Sequence, residues 1–311
     1  GTTISTQNEI QALVEYGGEL FVGGYFKTIN GESAIGITRW DGTNWHNFSP
    51  GLGPADGIDT EVTGAVVYNG DLIIGGKFTS VDGVAANGIA RWDGKAWHAM
   101  GGGVQGTNGN GPAFVREFAE FNGNLYVGGY FLNVDGQQAE NLAMWDGTTW
   151  HAIVPGANDY VTALSVHQNK LYAGGYFTTI AGVSANHVAV FDGVQWESLD
   201  GGISCAGCTP YASAFQDLDG RIAVGGSFTK VNNSIAASRI ALWNECPFPN
   251  PAADINGDGH VNIDDLTAVI LNWGACDDPC PPCPADIAPA GKGDCTVNID
   301  DLTMVILSWQ P

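Results

Sequence analysis

The chain has 311 residues, 44% hydrophobic and 14% charged, and no apolar run approaches the roughly 20 residues that a spanning helix needs. Asp plus Glu outnumber Lys plus Arg by 33 to 11, and the resulting net charge of −22 repels phosphate backbones and anionic lipid heads. The expectation is therefore a protein with no nucleic-acid partner and no membrane insertion, whose 45 glycines suit short strands and tight turns and whose acidity suits Ca²⁺.

The opening "GTTISTQNEI" has neither a basic start nor an apolar run, so it does not read as a signal peptide, and an exported protein would have this as its mature form. Residues 1–6, alternating and β-branched, read as a strand. From residue 8 one unit recurs. Its Gly-Gly pair falls at Gly23-Gly24, Gly75-Gly76, Gly128-Gly129, Gly174-Gly175 and Gly225-Gly226, in steps of 52, 53, 46 and 51 residues. A period near 50 is the signature of a propeller or a solenoid.

Each unit reads as a strand, a turn such as NG or DG, a strand of the type LYVGGYF, a loop, a strand ending in WDG, and a last strand opening at a second Trp. Four-stranded units at this period close radially because a ring leaves few open sheet edges. The predicted fold is mainly β, a five-bladed β-propeller with blades at about 8–49, 60–101, 113–154, 159–201 and 209–244. Trp40 and Trp45, Trp92 and Trp97, and Trp145 and Trp150 should face each other across their hairpins. Glycine inside a strand implies a bulge or a close backbone approach. Phe26, Phe78, Phe131, Phe177 and Phe228, at a fixed offset from it, are predicted to pack between blades.

The fifth unit ends at "LWNECPFP": Trp243 is present, but Cys246 and Pro247 stand where the outer strand would begin. Strand 1–6 completes that blade, either in the same molecule or in a neighbour, and the second case gives a head-to-tail chain by strand donation. The "GGxF…WDGxxW" units resemble the repeats of secreted bacterial proteins, a kelch-like propeller family, over nearly all of residues 8–244. That resemblance implies a propeller domain over 1–245 and an extracellular location, and no particular activity.

A second module is predicted over 246–311. "DINGDGHVNIDD" places oxygen ligands at the positions a calcium loop needs: Asp254, Asn256, Asp258, Asn262 and Asp265, with Gly259 at the turn and the His260 carbonyl at position 7. Leu266, Val269, Ile270 and Trp273 then fall on one helical face. "VNIDDLT" at 261–267 recurs at 297–303, followed by the same stripe. The duplicated loop-helix pattern resembles type I dockerin over about 252–310, which implies bound Ca²⁺ and a cohesin-like protein partner. In the second, variant loop the candidates are Asp286, Asp294, Asn298 and Asp301, with Cys295 in the glycine slot.

Seven cysteines crowd into the last third, among Pro and Gly, which reads as disulfide stapling in an oxidising compartment. The expected bridges are Cys246 with Cys276, bracketing the first loop and helix, and Cys205 with Cys208. The two C-x-x-C pairs also raise a zinc reading, against which their separation across a module boundary counts.

No nucleophile elbow, phosphate loop or zinc-protease motif is present. His46, His98 and His151 follow the second Trp of their units and so belong to the repeat, whereas His167, His187 and His260 are solitary and expected at the surface. Paired carboxylates converging on the axis stay open as a glycosidase reading. The functional expectation is a secreted, non-catalytic structural or interaction protein, a rigid propeller platform with a calcium-stabilised dockerin-like tail as its contact; one version of this reading has it self-assemble into a filament through its N-terminal strand or C-terminal module. The alternatives are a subunit docked on a cohesin-like partner and a propeller that binds or cleaves extracellular glycans.

Overall fold

The computed structural model describes residues 9–49, 51–53, 60–107, 112–199, 201–218, 221–232 and 235–244, together with Thr267, Ile270, 274–275 and 296–297. The chain divides into two units, residues 1–216 with 223–241, and residues 217–222 with 242–311.

Five antiparallel meanders follow one another along the chain. In the first, strands Glu9–Tyr16, Glu19–Tyr25, Ile37–Trp40 and Trp45–Asn47 pair in sequence order. The second (Glu61–Tyr68, Asp71–Lys77, Ile89–Trp92, Trp97–Ala99) and third (Phe114–Phe121, Asn124–Tyr130, Leu142–Trp145, Trp150–Ala152) repeat this order. So does the fourth, Val161–His167, Lys170–Gly175, Val188–Phe191 and Trp196–Ser198. The fifth holds three described strands, Tyr211–Leu218, Arg221–Ser227 and Ile240–Asn244.

The Gly-Gly pair has two separate reasons. In each of the first four sheets the first strand carries a bulge opposite the pair, between Ile10 and Ala12, Val62 and Gly64, Val115 and Glu117, and Val161 and Ala163. The bulge swings a carbonyl toward the second glycine: a Cβ there would lie 2.1 Å from the Glu9 oxygen at Gly24 and 2.0 Å from the Tyr160 oxygen at Gly175. Backbone cannot yield as a side chain can, so only glycine fits. The first glycine instead makes room for the next sheet. A Cβ at Gly23 would sit 2.5 Å from Val62 Cγ1, at Gly75 2.6 Å from Val115 Cγ1, at Gly128 2.5 Å from Val161 Cγ1, and at Gly174 2.7 Å from Ala212 Cβ.

The fixed phenylalanine belongs to the same device. The second glycine's N–H donates to a residue in the left-handed region just before the third strand, and that residue's N–H donates to the phenylalanine carbonyl. The pairs run Gly24 to Gly36 to Phe26, Gly129 to Asn141 to Phe131, and Gly175 to His187 to Phe177. All five phenylalanine side chains are buried, none more than 2% exposed. Phe78, Phe131 and Phe177 each join a core shared by two successive sheets, as predicted. Phe26 differs: its cluster, with Val22, Ile29, Ala34 and Trp45, stays within the first sheet.

The stretch read as a loop after each phenylalanine is a small hairpin. Thr28–Ile29 pairs with Glu32–Ser33 around Asn30 and Gly31, both at positive φ (51° and 85°), as a two-residue Asn-Gly turn requires. Its counterpart at Ser80–Val81 also pairs with Leu52–Gly53, from the connection leaving the first sheet, and so ties neighbouring sheets together.

The two ends of the series are unlike the middle. A Cβ at Gly225 meets no described atom within 4 Å. On the first sheet Ile10 is 42% and Leu13 62% exposed, whereas their counterparts Val62, Val115 and Val161, and Phe118 and Leu164, are buried. Among the described residues, then, nothing enters the packing site on the fifth sheet that each earlier sheet offers to the next, and the face that would enter it is partly exposed on the first.

No helical element is delineated among the described residues, although Thr267 and Ile270 carry helical backbone. In the same unit Gly274–Ala275 pairs antiparallel with Thr296–Val297.

Candidate functional site

The calcium-loop candidates Asp254, Asn256, Asp258, His260, Asn262, Asp265, Asp286, Asp294, Asn298 and Asp301 lie outside the described residues, as do Cys246 and Cys276. Among the described residues no group of three or more His, Cys, Asp or Glu converges as a metal site. Cys205 and Cys208 form a disulfide, with their Cα atoms 5.5 Å apart.

The histidines divide differently from expectation. His46, His98 and His151 are part of the repeat, and their partner is the Asp of WDG. Asp41 Oδ1 accepts from the N–H groups of Thr43 and Asn44, each at 2.7 Å, while Oδ2 lies 2.7 Å from His46 Nε2. Asp93 and Asp146 repeat this with His98 at 2.8 Å and His151 at 2.7 Å. The aspartate closes the turn and the histidine tethers it to the outer strand, beneath Trp pairs whose centroids are 5.1–5.2 Å apart. His167 and His187, expected at the surface, are buried at 2% and 9% exposure. His167 lies 6.1 Å from the Tyr172 ring, and His187 takes the left-handed position before its strand. Burial pushes the His187 imidazole below the usual histidine range.

These turns make a testable statement about acid. The His46 and His151 contacts, with two N–H donors each, hold Asp41 and Asp146 well below the usual carboxylate range; at Asp93 the Ala96 N–H leads and His98 follows. A depressed carboxylate stabilises the fold fully above the unfolded value near about 3.9 and loses that contribution as pH falls through the folded value. The melting temperature is expected to fall from about pH 4 downward. An Asp41→Asn, Asp93→Asn, Asp146→Asn triple variant should melt lower at pH 7 and vary less below pH 4; equal acid slopes in thermal scans would remove these turns from the account.

The first strands line a common axis. Gln11 Nε2 donates to Glu61 Oε2 at 3.0 Å, and Arg116 Nη1 donates to Gln11 Oε1 at 3.1 Å, which joins the first, second and third sheets. The Thr63 hydroxyl donates to the Val115 carbonyl, and Thr162 to the Ala212 carbonyl at 2.5 Å. These side chains border a cavity of about 450 Å³ at the end of the axis where the first strands begin. Glu61 is the one carboxylate among its described lining residues, and Lys77 Nζ lies 3.4 Å from it. Glycoside hydrolysis uses two carboxylates, and no second one lines the cavity among the described residues.

The opposite wall is aromatic. Phe114 and Tyr160 meet edge to face at 5.9 Å, Tyr160 lies 4.0 Å from Tyr130 and 5.9 Å from Tyr176, and Tyr176 stacks on Tyr211 at 4.5 Å and 16°. Burial raises the Tyr160 and Tyr176 phenols, so both are neutral donors at neutral pH. This arc was not anticipated. Its sequence signal is the residue just before the bulge pair, Glu9, Glu61, Phe114, Tyr160 and Tyr211, which changes from acid to aromatic while its neighbours keep their character. Glu117 was also missed. It stands where the other first strands carry Ala or Gly, and burial pushes its carboxyl up.

A family model described as a domain of unknown function (DUF5122) beta-propeller matches residues 169–189, from the second strand of the fourth sheet into its third. With the radial first strands and shared inter-sheet cores, this makes the chain a β-propeller protein. Among solved structures, the extracellular domain of a putative one-component system from B. thetaiotaomicron is similar at 12% identity and a TM-score of 0.44, over 72% of this chain and 26% of that one. The computationally designed Ika8 protein is similar at 16% identity and a TM-score of 0.37, over 76% and 71%. The chain thus spans about a quarter of the first of these proteins. No curated protein matches.

Proposed function

We propose that the chain is an extracellular structural protein, a five-bladed propeller without catalytic role that assembles head to tail. One observation carries this: the inter-sheet packing site made four times within the chain meets no described residue at Gly225, while the apolar face that fits it, Ile10 and Leu13, is exposed on the first sheet. Two halves of one contact at the two ends of a series form a heterologous interface, and in this reading it is made between molecules and extends rather than closing within one. The third strand of the fifth sheet, Ile240–Asn244, exposes Ile240 and Leu242, and no described strand pairs beyond it where the other sheets carry an outer strand. In this reading residues 1–6 of the next molecule add that strand.

The C-terminal module is a second contact in the same assembly, stiffened by Ca²⁺ on Asp254, Asn256, Asp258, Asn262 and Asp265, with Asp286, Asp294, Asn298 and Asp301 forming the variant loop. Some sixty residues bury little core, so metal and a Cys246–Cys276 bridge supply much of its stability. The Cys205–Cys208 disulfide supports an oxidising location.

Negative-stain images of the full chain in calcium should show strings of ring-shaped particles, and a chain lacking residues 1–6 should give single particles. Single particles from the full chain at every concentration would overturn the proposal. Strings from the shortened chain would remove strand donation.

A further inference from the structure

The axial cavity has two chemically different walls, and neither is explained by the packing that closes the sheets. We propose that it binds a neutral pyranose saccharide, stacked on Tyr160 and Tyr176 and hydrogen-bonded by Gln11 and Arg116.

A pyranose ring is itself two-sided, with axial C–H groups on its faces and hydroxyls around its edge. The C–H hydrogens carry partial positive charge and are drawn to the negative face of an aromatic ring, while the hydroxyls need partners of both kinds. Phe114, Tyr160, Tyr176 and Tyr211 are all partly exposed and form a continuous arc along the third to fifth sheets. Two-torsion aromatic side chains already packed against one another lose little conformational freedom on binding.

Across the cavity, the Gln11 amide is fixed between Glu61 and Arg116 and offers both a donor and an acceptor. Arg116 supplies further N–H donors, and the exposed Ser213 hydroxyl, donating to Gly225 O at 3.2 Å, retains its acceptor lone pairs. The volume of about 450 Å³ lies within the roughly 300–1,000 Å³ of small-molecule sites.

Other ligand classes fit less well. A divalent cation would find one carboxylate, already beside Lys77. An anion would have to approach a chain of net charge −22. A wholly apolar ligand would leave the Gln11, Glu61 and Arg116 groups dehydrated without partners.

The test uses the full chain and tetrasaccharides of β-1,4-linked glucose, β-1,4-linked xylose and α-1,4-linked galacturonate, read by saturation-transfer NMR and calorimetry. At least one neutral oligomer should bind with millimolar affinity or better. Tyr176→Ala should weaken it tenfold or more, Tyr176→Phe less than threefold, and Gln11→Ala several-fold, each measured well below that variant's own melting temperature. If Tyr176→Ala melts early, the Tyr176→Phe and Gln11→Ala pair decides, since neither removes a packing ring. Binding of galacturonate alone, of no oligomer at 10 mM, or equally by wild type and Gln11→Ala would overturn the assignment. Particle strings are scored in the same samples, so a failed saccharide site and a failed assembly are told apart.

Discussion

Gly128→Val is expected to cost about 3 kcal/mol, the upper part of the usual overpacking range, while Gly225→Val, the same substitution at the equivalent position, leaves the separated chain within about 0.5 kcal/mol of wild type. At Gly128 the new side chain enters a filled site, with Val161 Cγ1 2.5 Å and Leu164 Cδ1 3.4 Å from its Cβ. Both neighbours belong to a core cluster with Phe177 and Ile180, where no slack exists for a methyl group. At Gly225 no described atom lies within 4 Å. For a protein of this size the first change should lower Tm by roughly 6–12 °C in calorimetry, and the second should leave Tm unchanged at low concentration. The same Gly225→Val chain should give no strings in the microscope, because the added isopropyl group fills the space that the next molecule's Ile10 would enter. If Gly225→Val melted as early as Gly128→Val in dilute solution, the fifth site would already be occupied within one molecule.

Much of this architecture is readable from the sequence because the chain states it several times. One Trp-x-x-x-x-Trp spacing is weak evidence, but three such pairs at a constant phase to a Gly-Gly pair fix a hairpin, and the rings meet at 5.1–5.2 Å. The repetition also assigns His46, His98 and His151 to structure, and the WDG carboxylate beside each is the reason. The two roles of the glycines were only half legible. A bulge or a close approach was expected, yet that one glycine answers to its own sheet and the other to its neighbour appears only when Glu9 O and Val62 Cγ1 are located.

Features that occur once, or that vary across the repeat, escaped. His167 and His187 are buried because of the strands that surround them, and a solitary histidine carries no periodicity to announce this. The small hairpins do have a signal, Asn30-Gly31 between β-branched and polar residues, but strands of two residues fall below any periodicity and so look like a loop in sequence. The aromatic arc combines Phe114, Tyr160 and Tyr211 from one column of the repeat with Tyr130 and Tyr176 from another. Only the curvature of the series brings the two columns together.

The open ends are the physical core of the functional proposal. Four copies of one contact place a valine or alanine against the first glycine, and in three of them a buried phenylalanine joins a core shared with the sheet before it. The first and fifth sheets each have half. Ile10 and Leu13 keep 42% and 62% of their surface exposed, and covering it would gain a part of the roughly 1.5–3 kcal/mol that full burial of such a side chain is worth. That gain is available in a single molecule or between molecules, and the two cases differ in which chain supplies the partner.

Mixing two variants that each add one cysteine to the seven already present distinguishes them directly. Ile10→Cys chains and Gly225→Cys chains, each purified separately and then combined under mild oxidation, should yield a covalent heterodimer on non-reducing gels whose digest contains a peptide pair linked through positions 10 and 225, a product absent from either chain alone. A double variant carrying both cysteines should yield a ladder of longer species. If the mixture stays monomeric and the double variant forms only an internally bridged single chain, the ring closes on itself and the protein does not assemble through this contact.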